Sequence, residues 1–512
     1  MVPLKFLRTL LGLPSVWIAL TLLLLHGVLI FGRKDVEIAY GDSGLMYLQA
    51  RQLVDAGYAT FAFDYPGVDL DPGYEFVPYR KPFLAPVEDK YFIDFPPYFP
   101  FLAAPLLASF GYPGLYLPGF VALGLTFGLL IACARLVGLG RIGRSTVLLA
   151  YGLFSTVPLY NYIFHEYPLA LALWAGALYC LLHVEKRGFS PVPAILFGLC
   201  SGLAVVFRME LVLVAAAGGL AYLLVIRDRW LAFGLYAALG ALLPLGFLFV
   251  ANEVIHGHPL GLRYTMTISE NANPDSRWTI IYGLLFSEVR GMLWQSPFFL
   301  LILLFPFAKL ERPGRLLLTL VGSAFVAILV TSPNHGDHIA ARYLFGIFAP
   351  GCILCALVIR DFRFQTYRRA LAIFAMILFV VSFRAHYKGY LFIQGSDRVA
   401  RTVLERLDQI EARHVVFGDY GPPLNLQNRF DAKTFLVAET PAKKVELSKR
   451  LHAAGVPRWA VAGNVTFPGE TPDPQAFYRQ LINEGWPLDE WRPDRILLEP
   501  PLFVVEVTAP GR

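Results

Sequence analysis

The chain of 512 residues is poor in charge. Only 16% of its residues are Asp, Glu, Lys or Arg, whereas an ordinary soluble protein has roughly a quarter. Hydrophobic residues make up 56% of the chain, and the mean hydropathy is +0.54. This balance excludes a soluble multidomain enzyme and a disordered chain, because both need a much more polar composition. A multi-pass membrane protein is predicted.

Cysteine is also scarce. The five cysteines all lie in apolar runs, which excludes a disulfide framework and gives no indication of a zinc site. Cys352 and Cys355 have a C-x-x-C spacing, but inside an apolar run they are better explained as small packing residues. The net charge of +6 does not indicate a nucleic-acid partner, because the basic residues form short clusters between apolar runs.

Segmenting the chain into apolar stretches of about 20 residues predicts about eleven transmembrane helices. Lys5 and Arg8 precede the first stretch, and every second connection after it is basic, which places these connections and the N-terminus in the cytoplasm. The chain then ends outside. The predicted spans are 10–31, 113–134, 146–162, 167–184, 192–207, 211–226, 230–251, 294–308, 316–331, 343–359 and 370–383.

Two domains are predicted. Residues 1–394 form the transmembrane domain, including an acidic outer loop at 33–112, and residues 395–512 form a soluble extracytoplasmic α/β domain. The tail alternates between strand and helix patterns. Its predicted strands are 414–418, 435–439, 458–463, 495–499 and 503–508, and its predicted helices are 442–454 and 474–484.

The acidic outer loop is the predicted reaction site. Asp42 precedes a stretch with helical apolar spacing at 45–53, so its carboxylate is either a general base for an acceptor hydroxyl or a helix cap. Asp94 lies in the motif that begins at Lys90 and ends at Tyr98. It is a second acid, a metal ligand, an acceptor contact or only a charge before a proline-started helix.

More polar residues lie on the same outer side, at the ends of predicted spans, and are expected to converge. Arg208 and Arg342 are candidates for gripping a lipid phosphate with paired hydrogen bonds. The alternatives are that these side chains only snorkel to the interface or that Arg208 pairs with Glu210. The histidines lack the spacing of metal ligands. The residues are His165, Glu166, Arg208, Glu210, His335, His338 and Arg342.

Four motifs in this order resemble the GT-C superfamily of membrane glycosyltransferases, which includes protein O-mannosyltransferases and the aminoarabinose transferase of lipid A. The resemblance covers roughly residues 1 to 390. The motifs are Gly41-Asp42-Ser43-Gly44; Phe95-Pro96-Pro97-Tyr98 leading to Pro105; Leu284 to Leu293 before Ser296-Pro297; and Gly336 with Ala341-Arg342-Tyr343-Leu344.

The resemblance implies transfer of a sugar from a polyprenyl-phosphate donor to an acceptor hydroxyl on the outer face, with inversion at the anomeric carbon. Asp42 would be the base, and Arg208 or Arg342 would stabilise the leaving phosphate. Asp42 and Asp94 are the catalytic candidates. The substrate-binding candidates are Lys90, His165, Glu166, Arg208, Glu210, His338 and Arg342.

The acceptor is a lipid, a glycan or a protein, and the expected location is a bacterial inner membrane with the C-terminal domain in the periplasm. No cofactor is required by the motifs. Whether the reaction needs a divalent metal is left open by the motifs. Ser43 stands where many members of the superfamily have a second acid, and Tyr98 stands where glycine often follows the proline pair.

Two other functions are compatible with many spans. A glycolipid transporter or flippase is disfavoured because the chain has no internal repeat and almost no charge in the middle of its spans. A non-catalytic envelope assembly protein would use the outer domain to bind a partner, and it would tolerate the loss of Asp42.

Overall fold

A computed structural model describes residues 14–34, 38, 41–264, 276–334, 340–463, 474–488, 491–499 and 502–509. The described chain is mostly helical and ends in a sheet, so the predicted fold class is confirmed. Its elements in chain order are α1 (Pro14–Phe31), α2 (Gly41–Asp55), β1 (Leu84–Val87), β2 (Lys90–Ile93), α3 (Tyr98–Phe110), α4 (Tyr112–Leu136), α5 (Arg141–Gly152), α6 (Tyr167–Arg187), α7 (Pro191–Phe207), α8 (Leu211–Ala221), α9 (Trp230–His256), α10 (Gly261–Tyr264), α11 (Arg277–Phe286), α12 (Met292–Gln295), α13 (Arg312–Thr331), α14 (Phe348–Arg360), α15 (Arg368–Asp408), β3 (His414–Phe417), β4 (Thr434–Val437), α16 (Pro441–Ala453), β5 (Arg458–Gly463), α17 (Pro474–Asn483), β6 (Arg492–Glu499) and β7 (Leu502–Thr508).

The contacts divide the chain into two compact units. Met1–Arg33 and Phe110–Ile393 form the first, called here the membrane unit, and Lys34–Ser109 and Gln394–Arg512 form the second, called the sheet unit. This division differs from the predicted one at the outer loop. The loop was predicted as part of the transmembrane domain, whereas residues Lys34–Ser109 group by their contacts with the C-terminal segment.

Seven helices in the described part of the chain are long and apolar enough to cross a membrane. Shorter apolar helices occur at Pro191–Phe207, Leu211–Ile226 and Pro297–Phe307, where spans were predicted. The count of eleven spans stays a prediction. Proline occupies the first turn of α4, α6, α7 and α13 and of the 3₁₀ helix Pro297–Phe307, where its missing N–H is not needed.

One predicted span is interrupted. The stretch 146–162 is not a continuous helix, because α5 ends at Gly152 and only a short 3₁₀ turn, Val157–Asn161, follows. Side chains from distant helices satisfy the carbonyl groups that the break exposes. His26 Nε2 lies 3.0 Å from the carbonyl of Gly152, and His386 Nδ1 lies 2.6 Å from the carbonyl of Ser155. Broken helices occur at membrane depth only where protein groups replace the lost hydrogen bonds.

Helices α7 and α9 pack backbone against backbone. A Cβ atom on Gly198 would overlap the carbonyl of Ala237, and one on Gly240 would overlap the carbonyl of Ile195. Only glycine permits this close approach. The approach matters because membrane helices associate through van der Waals contacts and have no hydrophobic driving force between them.

The sheet unit contains a five-stranded sheet in the order β4-β3-β5-β7-β6. Strand β3 pairs in parallel with β4 and β5, and β7 pairs antiparallel with β5 and β6. All five predicted strands and both predicted helices of the tail are confirmed, with ends shifted by at most a few residues. Helix α16 is capped by the Thr440 side chain, which accepts from the Lys443 amide.

The outer loop covers the edge strand of this sheet. The backbone N–H of Val437 in β4 donates to the carbonyl of Phe76 at 2.8 Å, and a covered edge cannot pair with other chains. Asp71 holds this part of the loop, since its buried carboxylate accepts from the amides of Glu75 and Phe76 at 2.8 Å each. Arg450 of α16 approaches the same carboxylate at 3.7 Å.

Replacing Asp71 by Ala is expected to lower the free energy of unfolding of the sheet unit by roughly 2 to 4 kcal/mol, because the buried N–H of Phe76 and the partly buried N–H of Glu75 lose their acceptor. Thermal unfolding and hydrogen exchange at Phe76 and Val437 measure the effect. The matched control is Asp69→Ala, an exposed acid of the same loop, which should change stability by about 0.5 kcal/mol or less. Equal effects of both substitutions would show that Asp71 does not hold the loop.

Candidate active site

Asp42 lies in the first turn of α2 and is 8% exposed. The helix predicted at 45–53 is confirmed and is longer, since it begins at Gly41, whose φ of 56° favours glycine. Its inner face packs closely on the C-terminal segment: a Cβ atom on Gly44 would collide with the Gln427 side chain. The carboxylate therefore sits on a helix that is held in place within the sheet unit.

Asp94 follows β2 in the same unit and is partly buried. Its backbone N–H donates to the carbonyl of Phe83 at 3.0 Å. The amide of Gln49 in α2 donates to the carbonyl of Phe95 at 3.0 Å, which joins the Asp42 helix to the residue next to Asp94. Lys90 is exposed at the tip of the β1-β2 hairpin, opposite Val87.

A buried ionic cluster lies at the helix ends of the membrane unit. Arg208 is 2% exposed, and its Nη1 donates to Glu166 Oε1 at 2.7 Å. Its Nη2 and Nε donate to Glu210 Oε1 at 2.7 and 2.9 Å. His165 Nδ1 lies 2.9 Å from the other oxygen of Glu166. The predicted convergence of these four residues is present in the structure.

Tyr167 completes the cluster and was not singled out from the sequence. Its hydroxyl accepts from Arg208 Nη2 and donates to Glu210 Oε1, both at 2.5 Å, and the guanidinium lies 4.0 Å from its ring centre. Four of the five N–H groups of Arg208 are thereby used. The position of Tyr167, directly after Glu166 and before a proline, was the available signal.

The charges suit the helix ends that carry them. Glu166 and Glu210 immediately precede α6 and α8, and Arg208 immediately follows α7. A helix favours a negative charge at its N-terminus and a positive charge at its C-terminus. The local sequence therefore stabilises each helix end and the ion pairs together.

The cluster also stabilises its own charged forms. Burial alone would raise the pKa of Glu166, but His165 and Arg208 beside it hold that pKa well below its usual range. Burial alone would lower the pKa of Arg208, whereas Glu210, Tyr167 and Glu166 hold it above its ordinary value. Each ion is therefore kept charged by its partners, as a buried pair requires.

Arg342 lies near this cluster at the start of a 3₁₀ turn, Arg342–Ile347, that leads into α14. It is 7% exposed and close enough to Tyr167 for an electrostatic interaction with its hydroxyl. His335 and His338 lie outside the described residues. Across the described ranges, no group of three or more His, Cys, Asp or Glu side chains is arranged to hold a metal ion.

The chain is similar over almost its whole length to solved structures of ArnT from Cupriavidus metallidurans. The apo structure has 12% sequence identity and a TM-score of 0.59, with 96% of this chain and 98% of that chain covered. ArnT bound to undecaprenyl phosphate has the same identity and coverage and a TM-score of 0.56.

The chain has the ArnT fold. The GT-C resemblance inferred from the sequence is thus confirmed for the fold. A scan of family models finds no match to the chain, and a search of curated proteins finds none.

Arg208→Lys is expected to lower the free energy of unfolding by about 3 kcal/mol. An ammonium group cannot reproduce the planar set of hydrogen bonds that the guanidinium donates to two buried carboxylates. The drop in thermal midpoint in detergent measures it. Arg363→Lys, at an exposed arginine, is the matched control and should leave the midpoint nearly unchanged. If the two midpoints agree, the cluster does not stabilise the helix ends.

Proposed function

We propose that this chain is an integral membrane glycosyltransferase of the GT-C type, which moves a sugar from a polyprenyl phosphate to an acceptor hydroxyl. The likeness to ArnT across 96% of the chain is the observation that carries the proposal. One of those ArnT structures is bound to undecaprenyl phosphate, which supports a donor of the same chemical class here.

In the proposed reaction, Asp42 takes the proton from the acceptor hydroxyl. The acceptor oxygen then forms a bond to the anomeric carbon as the bond from that carbon to the phosphate oxygen breaks, and the configuration inverts. The electron pair leaves with the polyprenyl phosphate. A buried carboxylate on a fixed helix suits this task, because a general base must be held within hydrogen-bond reach of the proton it removes.

The leaving phosphate needs a cation, and we assign that role to Arg342 rather than Arg208. Arg208 already uses four of its N–H groups on Glu166, Tyr167 and Glu210. Only one N–H group is left, so gripping a phosphate with two hydrogen bonds would break one of these buried contacts, which is unfavourable. Arg208 is better described as a positioning residue that fixes the helix ends beside Arg342.

Asp94 and Lys90 are assigned to the acceptor side. Asp94 is joined to α2 through the bond from Gln49 to Phe95, so its distance from the Asp42 helix is constrained. Lys90 is exposed and available to an acidic acceptor. We further propose a bacterial inner-membrane location with the sheet unit in the periplasm.

The test is transfer of a labelled sugar from a panel of polyprenyl-phosphate donors by the purified full-length protein in detergent. Asp42→Asn is expected to reduce kcat about 100- to 10,000-fold with little change in KM, because it keeps the shape and removes the base. Asp69→Asn, at an exposed acid of the same loop, should retain full activity. Thermal midpoints check that both variants are folded.

If kcat of the folded Asp42→Asn variant falls only a few-fold, Asp42 is a helix cap and not the general base. A native protein that consumes no donor but moves labelled lipid across a vesicle membrane would be a flippase. If it does neither, the assembly function is favoured, and the proposed activity is wrong.

A further inference from the structure

An apolar groove runs between α1 and α4 in the membrane unit. Its volume is about 340 Å³, at the small end of the range for ligand sites. Small residues form part of its lining, and at Gly128 no atom beyond its own helix backbone and chain neighbours lies within 4 Å of where a side chain would begin. Ala19, Gly124 and Ala132 also line it, and Arg135 stands at one end.

The charged end of the groove is strongly basic. Arg141 and Arg144 lie at the start of α5. Burial lowers the pKa of Arg144, and the nearby charges of Arg135 and Arg141 lower it further. In the described part of the chain, none of the three arginines has an ion-pair partner, and the buried Nε of Arg144 has no hydrogen-bond partner.

The turn between α4 and α5 is held rigidly. The Nη1 of Arg360, at the end of α14, donates to the carbonyls of Val137 and Gly138 at 3.2 Å each. Arg360 is itself paired with Asp361 through bonds of 2.6 and 2.8 Å. The turn that connects the helix of Arg135 to the helix of Arg141 and Arg144 is therefore fixed by a third helix.

We propose that this groove binds one anionic phospholipid, with an acyl chain between α1 and α4 and the phosphodiester on Arg135, Arg141 and Arg144. An apolar channel that ends at cations with no ion-pair partner among the described residues complements a molecule with an apolar chain and an anionic head. Basic pockets between membrane helices bind acidic headgroups in this way. The groove along α4 from Gly124 to Arg135 is roughly 16 Å long, enough for much of an acyl chain.

The test is native mass spectrometry of the delipidated full-length protein with phosphatidylglycerol and phosphatidylcholine of identical acyl chains. The native protein should retain phosphatidylglycerol at least about ten-fold better. Arg135→Gln combined with Arg144→Gln should abolish that preference, since each arginine near the headgroup contributes to binding of an anionic lipid. Gly128→Leu should fill the groove and weaken retention of both lipids several-fold.

Two matched controls distinguish binding at this groove from nonspecific binding of lipid elsewhere on the protein. Arg227→Gln with Arg229→Gln removes two exposed arginines from another connection, and Gly234→Leu adds a side chain at an exposed glycine of α9 with open space around it. Both should retain the native preference. Equal retention of the two lipids by the native protein, or an equal loss in the controls, would overturn the proposal.

Discussion

The ion pairs of Arg208 are the interaction on which the membrane unit depends. One guanidinium contacts the residues before α6 and α8 while itself following α7, so three helix ends are joined at a single buried point. Removing one member would leave a charge buried without compensation, which is far less favourable than losing an exposed pair. Such a cluster is tolerated in an otherwise charge-poor chain because every member is paired and hydrogen-bonded.

The scarcity of charge explains where polar chemistry can occur. Charged side chains are unfavourable in the middle of a span, so those that remain are placed at helix ends, where backbone dipoles and partner charges stabilise them. The same constraint explains the broken stretch after α5. The carbonyl groups of Gly152 and Ser155 are satisfied by His26 and His386, from helices far away in sequence.

The sequence predicted features that depend on local patterns. The helical membrane fold, the strands of the tail and the convergence of Glu166, Arg208 and Glu210 all follow from apolar length, alternation and the rule that charges avoid span centres. The interruption at Gly152 could not be predicted in this way. A stretch of uniform apolarity looks continuous, and the histidines that stabilise the break lie more than one hundred residues away.

The grouping of the outer loop with the C-terminal segment could not be predicted either, because it depends on contacts between residues far apart in sequence. Asp71 and Arg450 are nearly four hundred positions apart, and neither belongs to a motif. Proximity in sequence to the first span is the reason why the loop was predicted as part of the transmembrane domain, and no local pattern indicates its contacts with the C-terminal segment.

This grouping gives the C-terminal segment a physical role. Helix α2 carries Asp42, and the same segment holds it through the fit of Gly44 against Gln427 and the ion pair of Arg51 with Asp431 at 2.8 Å. A carboxylate on an unsupported loop would sample many positions, and a base that is misplaced by 1 Å loses much of its effect. The segment between β3 and β4 therefore restricts the position of Asp42 by packing against its helix, as Arg208 restricts the ends of three membrane helices.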